Sequence, residues 1–293
     1  MRALRLLGVM GGMAASLAAG PASAGETPAV PGRPARIVSL NLCADELVLR
    51  LADRAQVAAV TYLAGDPRGS TVTAEAVGVP ATRGFAEEIV ALKPNLVIAG
   101  AFTTRTTVGL LKRIGFPPLE LGVPADFDGV RAQIRQVAAA VGHPERGEAM
   151  VAELDGILSQ IVPASRSLRV LILRPNAFTV SPGSLGDAII RAAGLVNVAA
   201  EIGRDRTGSV PLEAAALADA DLVVLDAGEA DTPSLADALL HHPIFERLRA
   251  QGRTVSIPNR LWTCPGPQVA EVAARLATAA REQMSMRAPT KTR

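Results

Sequence analysis

At 293 residues the chain is long enough for one large domain or two ordinary ones, and 49% apolar against 20% charged residues supplies a sizeable core and excludes intrinsic disorder. Its 30 basic and 28 acidic residues give a formal charge of +2, an excess that Arg2 and Arg5 alone account for, so the balanced remainder lacks the basic surface that nucleic-acid binding needs. Two cysteines are too few for a disulfide scaffold or a four-thiolate zinc site.

In chain order, Arg2 and Arg5 precede an uncharged apolar run at 6–19 (LLGVMGGMAASLAA), and Ala22-Ser23-Ala24 follows with small residues. This is the pattern of a secretory signal, residues 1–24, with cleavage expected after Ala24. The run is short for a membrane span of about 20 residues, and no cysteine follows it to carry a lipid. The mature chain is therefore expected to be exported and soluble. Residues 25–35 (GETPAVPGRPA) carry Pro28, Pro31 and Pro34 and read as an extended, disordered lead-in.

From residue 36 onward, apolar runs of strand length alternate with helical patterns. Strands are expected at 36–40, 57–61, 96–100 and 118–121, then at 169–173, 221–225 and 253–257. Helices are expected at 44–52, 86–93, 103–114 and 184–193. Such alternation predicts an α/β fold around mostly parallel sheets, and the continuous β-branched runs suit strands covered on both faces. The middle differs. Val130, Ile134, Val137 and Val141 form one helical stripe, Gly142-His143-Pro144 interrupts it, and a second helix is expected from Pro144 to Val162. We read 36–142 as an N-terminal lobe, 143–167 as a connector helix and 168–282 as a C-terminal lobe. The basic stretch 283–293 is expected to be a disordered tail.

The halves also repeat. From Glu87 and Glu213, nine residues on, stand Leu96 and Leu222, then Val97 and Val223, all at an offset of 126 without a gap. A carboxylate in the first turn of a helix is ordinary, being favoured by the helix dipole. Its matched placement in both halves suits one acid per lobe docking a two-fold partner that carries arginines.

Ligands of open parallel sheets bind outside the carboxyl ends of the strands. Those ends carry Asn41, Leu42 and Cys43, then Tyr62, then Phe102, with Arg83 and Phe85 in the loop before 86–93. In the second half they carry Arg174, Trp262 and Cys264. If the halves face each other, the only Tyr and the only Trp line one cleft, whose aromatic and arginine walls suit a flat or bulky ligand with anionic groups. Cys43 and Cys264 are open to three readings: small wall residues, a disulfide that would staple the cleft shut and block exchange of ligand, or soft contacts to ligand or metal. No G-x-G-x-x-G or G-x-x-x-x-G-K-[ST] loop follows a strand, and no H-E-x-x-H or G-x-S-x-G motif occurs. His143, His241 and His242 read as solvated or capping residues. No catalytic residue, resident metal or cofactor is expected.

The runs RIVSLNLCADELVLRL (36–51), FAEEIVALKPNLVIAG (85–100), RVLILRPNAFTVSPGSLGDAIIRAAGL (169–195), VPLEAAALADADLVVL (210–225) and RLWTCPGPQVAEVAARLA (260–277) resemble the periplasmic binding proteins of the cobalamin and ferric-siderophore ABC importers. The resemblance spans about residues 36–282. It implies two Rossmann-like lobes joined by one long helix, limited cleft closure, and a periplasmic monomer that captures a metal chelate (corrinoid, ferric siderophore or haem) and delivers it to an inner-membrane permease dimer. It places ligand contacts on Asn41, Leu42, Cys43, Tyr62, Phe102, Trp262 and Cys264, to which the residues themselves add Arg83 and Arg174. Docking acids fall on Glu87 and Glu213, with Glu88 one place out of register. The competing readings are an exported α/β hydrolase and a ligand sensor without an importer.

Overall fold

A computed structural model describes residues 33–202, 209–225 and 242–287. The expected signal 1–24, the lead-in as far as residue 32, His241 and the chain from 288 lie outside the described residues. The apolar runs form two sheets. The first holds β1 (Ile37–Ser39), β2 (Val57–Thr61), β3 (Ala81–Thr82), β4 (Leu96–Gly100) and β5 (Leu119–Leu121), in the order β3-β2-β1-β4-β5. The second holds β6 (Arg169–Leu173), β7 (Val196–Asn197), β8 (Leu222–Leu225) and β9 (Thr254–Ser256), in the order β7-β6-β8-β9. Every pairing in both is parallel. The central strands explain this: Ile37, Val38 and Val170 to Leu173 are all fully buried, as strands covered on both faces require. β3 and β7 escape sequence reading because each is a two-residue edge pairing with no apolar run.

The helices that cover these faces are α1 (Leu42–Leu51), α2 (Ala86–Ala91), α3 (Arg105–Arg113), α6 (Leu185–Ala192), α7 (Leu212–Leu217), α8 (Pro243–Ala250) and α9 (Arg260–Thr263). The repeat is structural. α2 and α7 begin and end 126 residues apart, as do the first residues of β4 and β8, and each helix feeds the strand beside the central one.

Between the sheets in sequence lie α4 (Phe127–Val141) and α5 (Pro144–Ser159). The Asp126 side chain caps α4 by accepting from Gly129 N at 2.8 Å, and Gly142 ends it at φ 85°, a left-handed conformation that glycine adopts without strain. Pro144 then opens α5, where its missing N–H costs nothing. α5 stops short of the expected Val162, because the chain tightens into i→i+3 bonds at Gln160 and Ile161. It packs against α4 on one side and against α10 (Gln268–Arg287) on the other. Arg131 reaches Asp155 and Arg135 reaches Glu148 to tie α4 to α5, and Arg50 of α1 reaches Glu153 at 2.6 Å.

Two expected termini are corrected. The tail does not begin at 283, because α10 continues to Arg287 with Gln283 buried and Met284 packed on the core. The lead-in ends before residue 35, since Gln56 Nε2 donates to Pro34 O at 2.8 Å and the Arg33 side chain lies against Gly142.

The α4–α5 contact is close. A Cβ on Gly147 would stand 2.5 Å from the Cβ of Ala138. Gly147→Val should therefore force the two helices apart and lower stability by about 2 kcal/mol, of the order seen for overpacked cores. A melting temperature equal to that of the parent would show that the pair has room to give.

Candidate functional site

The carboxyl ends of both sheets carry the residues expected there. Tyr62 follows β2, Arg83 and Phe85 follow β3, and Phe102 follows β4; Tyr62 is 61% and Phe102 86% exposed. Arg174 leaves β6, and Trp262 sits in α9 after β9. Asn41 caps α1 by accepting from Cys43 N at 3.0 Å, and Leu42 opens that helix. Trp262 is not an open platform. It is half-buried, the Arg174 guanidinium stands 5.8 Å from its ring centroid, and its indole N–H has no partner among the described residues. Asn259 holds this pair together: its side-chain oxygen accepts from Arg174 Nη2 at 2.6 Å, and its carbonyl accepts from Trp262 N at 3.1 Å.

Of the three readings of the cysteines, the structure takes the disulfide. Cys43 at the start of α1 is bonded to Cys264 after α9, with Cα atoms 4.9 Å apart across a sequence separation of 221. Both sulfurs are spent on that bond, so neither is available as a soft thiolate ligand. The bridge does not seal every hollow at the seam. Beside it, Glu46 makes a polar tie between the same elements. Its carboxylate accepts from Thr71 N at 2.9 Å and from Gln268 Nε2 of α10 at 2.8 Å. Burial pushes Glu46 up to about 7, against the lowering by its bonds to Thr71 and Gln268 and by Arg50. Its neighbour Asp45 is fully buried, accepts from Thr61 N and Thr61 Oγ1, and is pushed by burial to about 6. Sequence reading missed both acids, although two adjacent carboxylates inside the apolar helix LCADELVLRL were the available signal.

Two hollows lie along the seam between the sheets. One, of about 620 Å³, is polar and draws its walls from Arg50, from Ser70 and Thr71, from Glu153 of α5, and from Arg260 and Gln268. No residue singled out from the sequence as a ligand contact lines it. The other, of about 90 Å³, takes in Asn41, Cys43, Phe102, Val123 and Pro124, with Thr263 and Pro265 opposite. Tyr62, Arg83, Arg174 and Trp262 line neither.

Glu87 and Glu213 are both exposed in the first turns of α2 and α7. Glu88 is folded back instead. It accepts from Thr82 Oγ1 and from Arg83 N at 2.9 Å, and these bonds, Thr82 first, hold its carboxyl below the ordinary range. His143 is buried between Gln56, Asp53 and Glu145, and His242 caps α8 by accepting from Ile244 N at 3.3 Å.

Native protein should titrate with no free thiol and with two after denaturing reduction. Replacing Cys264 by Ser should cost about 2–4 kcal/mol in denaturant melts, since the bridge closes a long loop in the unfolded chain. The acids predict a pH profile. Folding raises Glu46 from 4.5 to about 7 and Asp45 from 3.8 to about 6, so the folded state binds more protons inside those windows. Stability is then greatest below the lower values, falls as pH rises through the windows, and levels off above about 7. Glu46→Gln should flatten the fall between pH 5 and pH 7 in melting temperatures measured across that range; an unchanged slope would remove Glu46 as its source.

The comparisons with known proteins agree with this architecture. A cobalamin-binding protein of Halobacterium salinarum (strain R1) is 29% identical over 261 residues, covering 84% of this chain and 69% of its own. Among solved structures, the periplasmic heme-binding protein RhuT from Roseiflexus sp. RS-1 superposes with a TM-score of 0.67 at 24% identity, covering 85% of this chain and 98% of its own. The periplasmic vitamin B12 binding protein BtuF of Vibrio cholerae superposes at 0.65 with 15% identity, covering 86% and 98%. At those identities the two structures speak to the fold alone. The family model described as periplasmic binding protein matches residues 37–259, which is most of the chain, and this protein belongs to that family.

Proposed function

We propose that the protein captures a metal chelate of the corrinoid, ferric-siderophore or haem class at the carboxyl ends of its two sheets and hands it, unaltered, to an ABC importer in the inner membrane. One observation carries this reading. The chain has only six Phe, one Tyr and one Trp. Tyr62, Phe85, Phe102 and Phe178 are all exposed, and each follows the carboxyl end of a strand, as does half-buried Trp262. Leaving scarce aromatic rings in water is costly unless a ligand face covers them. Relatives point the same way: a cobalamin-binding protein among sequences, and heme-binding and vitamin B12 binding proteins among structures. The expected signal peptide would send the mature chain to the periplasm, and we take it to act as a monomer of two halves joined through α5, the second half running to Arg287.

Delivery falls to Glu87 and Glu213. They stand at equivalent positions of the repeat and both are exposed, whereas Glu88 is spent on Thr82 and Arg83. Guanidinium groups on a two-fold partner are the natural complement of one carboxylate per half.

Mature protein should quench Trp262 fluorescence on titration with at least one of cyanocobalamin, haemin or ferrichrome, and Tyr62→Ala with Phe102→Ala should weaken that binding about tenfold or more. The Glu87→Ala, Glu213→Ala double variant should keep the parent affinity while cellular uptake of the same chelate falls by roughly tenfold. Uptake at the parent rate would remove the docking role; no binding of any chelate would remove the cargo.

A further inference from the structure

The small hollow at the seam has a construction that the capture reading does not assign. It sits at the carboxyl ends of β1, β4 and β5. In the first sheet the chain winds outward from β1 through β2 to β3, then returns to the other side through β4 and β5. β1 and β4 therefore flank the topological switch point, the place where open parallel sheets receive ligands.

Its back wall is a close contact. A Cβ on Gly100 would stand 2.6 Å from the Asn41 side chain, so only glycine lets the end of β4 approach the start of α1 this closely. The same Asn41 side chain caps Cys43 N, which fixes its orientation. Gln133 of α4 pins the outer wall. It is 7% exposed, and its Nε2 donates to Gly122 O at 2.9 Å, holding the segment that carries Val123 and Pro124. Thr263 and Pro265 close the hollow from the other half, next to the Cys43–Cys264 bridge.

Its chemistry is one-sided. No ionisable side chain lines it; Asn41, Thr263 and Gln133 are its polar residues, and each spends a side-chain group on backbone. Phe102 at 86% and Val123 at 65% exposure stand on its wall, two apolar side chains left to water. At about 90 Å³ it is smaller than the roughly 150 Å³ cavity that takes a benzene ring. A carboxylate, phosphate or amide arm entering it would lose its hydration without a charged partner.

We infer that this hollow is a specificity notch for a small uncharged apolar substituent on the rim of the cargo, such as a methyl, ethyl or vinyl group, with Val123 and Phe102 as the residues that grip it. The inference rests on the capture reading. It adds Val123, Pro124 and Gln133 to the binding machinery and states which edge of the cargo enters first.

The test uses full-length mature protein and two substitutions at the exposed Val123, where the fold has little at stake. Val123→Asp introduces charge into the notch, and Val123→Ile keeps its apolar wall. Trp262 fluorescence titrations with cyanocobalamin and haemin, both of which carry alkyl groups on the ring edge, give the affinity. Val123→Asp should weaken the bound probe about tenfold or more, clearly more than Val123→Ile does, and both should melt with the parent. A second arm compares haemin with deuterohaemin, in which hydrogen replaces both vinyl groups, wherever haemin binds. The parent should prefer haemin, and Val123→Asp should erase that preference. Equal affinity of Val123→Asp and the parent would overturn the notch while leaving the cargo reading intact. Equal weakening by Asp and Ile would overturn it as well, since size alone would then explain the loss. If the parent binds neither probe, the notch falls together with the tetrapyrrole part of the capture reading.

Discussion

The first turn of α1 meets the link between α9 and α10 at one place, and the two sheets are fastened there twice. The Cys43–Cys264 bond joins them covalently, and Glu46 holds Gln268 of α10 while its other oxygen takes Thr71 N. Gln268 Nε2 also donates to Cys264 O at 3.1 Å, so the polar tie and the bridge share an anchor. A second fastening runs along α5, packed on α4 and α10. Two separated attachments leave little freedom for the sheets to part. On the capture reading proposed above, a binding surface assembled from both halves would be largely formed before any ligand arrives, which lowers the ordering cost of binding.

The same junction explains why the seam has two chemical characters. On the side of Arg50 and Glu153 the walls are ionic and hydroxylated, and water can solvate them. On the side of Phe102 and Val123 the walls are apolar and uncharged. A cargo with a flat apolar body and polar arms has a natural orientation on such a surface, whereas a uniformly polar one has none. Arg174, held over Trp262 and bonded to Asn259, adds a fixed cation at the end of the central strand of the second sheet.

Much of this was legible in the residues. Parallel sheets announce themselves through doubly buried runs such as RVLIL and LVVL, and α4 through Val130, Ile134, Val137 and Val141. The 126-residue offset was readable because α2 with β4 and α7 with β8 are equivalent pieces of equivalent sheets. What stayed hidden depended on tertiary approach. Cys43 and Cys264 could be placed at strand ends but not within bonding distance, because nothing local fixes a Cα separation across 221 residues. Trp262 reads as a platform from its position, yet Arg174 covers it. That Glu46 meets Gln268 was likewise hidden, because the two stand 222 residues apart in sequence.

Glu46 is a buried acid whose hydrogen bonds explain its presence. A carboxyl group that stays protonated to about pH 7 because it is buried is, on burial alone, a poorer core residue than an apolar one. Its two acceptor oxygens, however, point in different directions, to a loop backbone in the first half and to a side chain in the second. An apolar residue would leave the buried Gln268 without that bond and Thr71 N without its acceptor, each a loss of about 1–3 kcal/mol. The acid therefore ties α1 to the start of α10 beside the Cys43–Cys264 bridge. The cost of burying an acid is offset by hydrogen bonds that reach both halves.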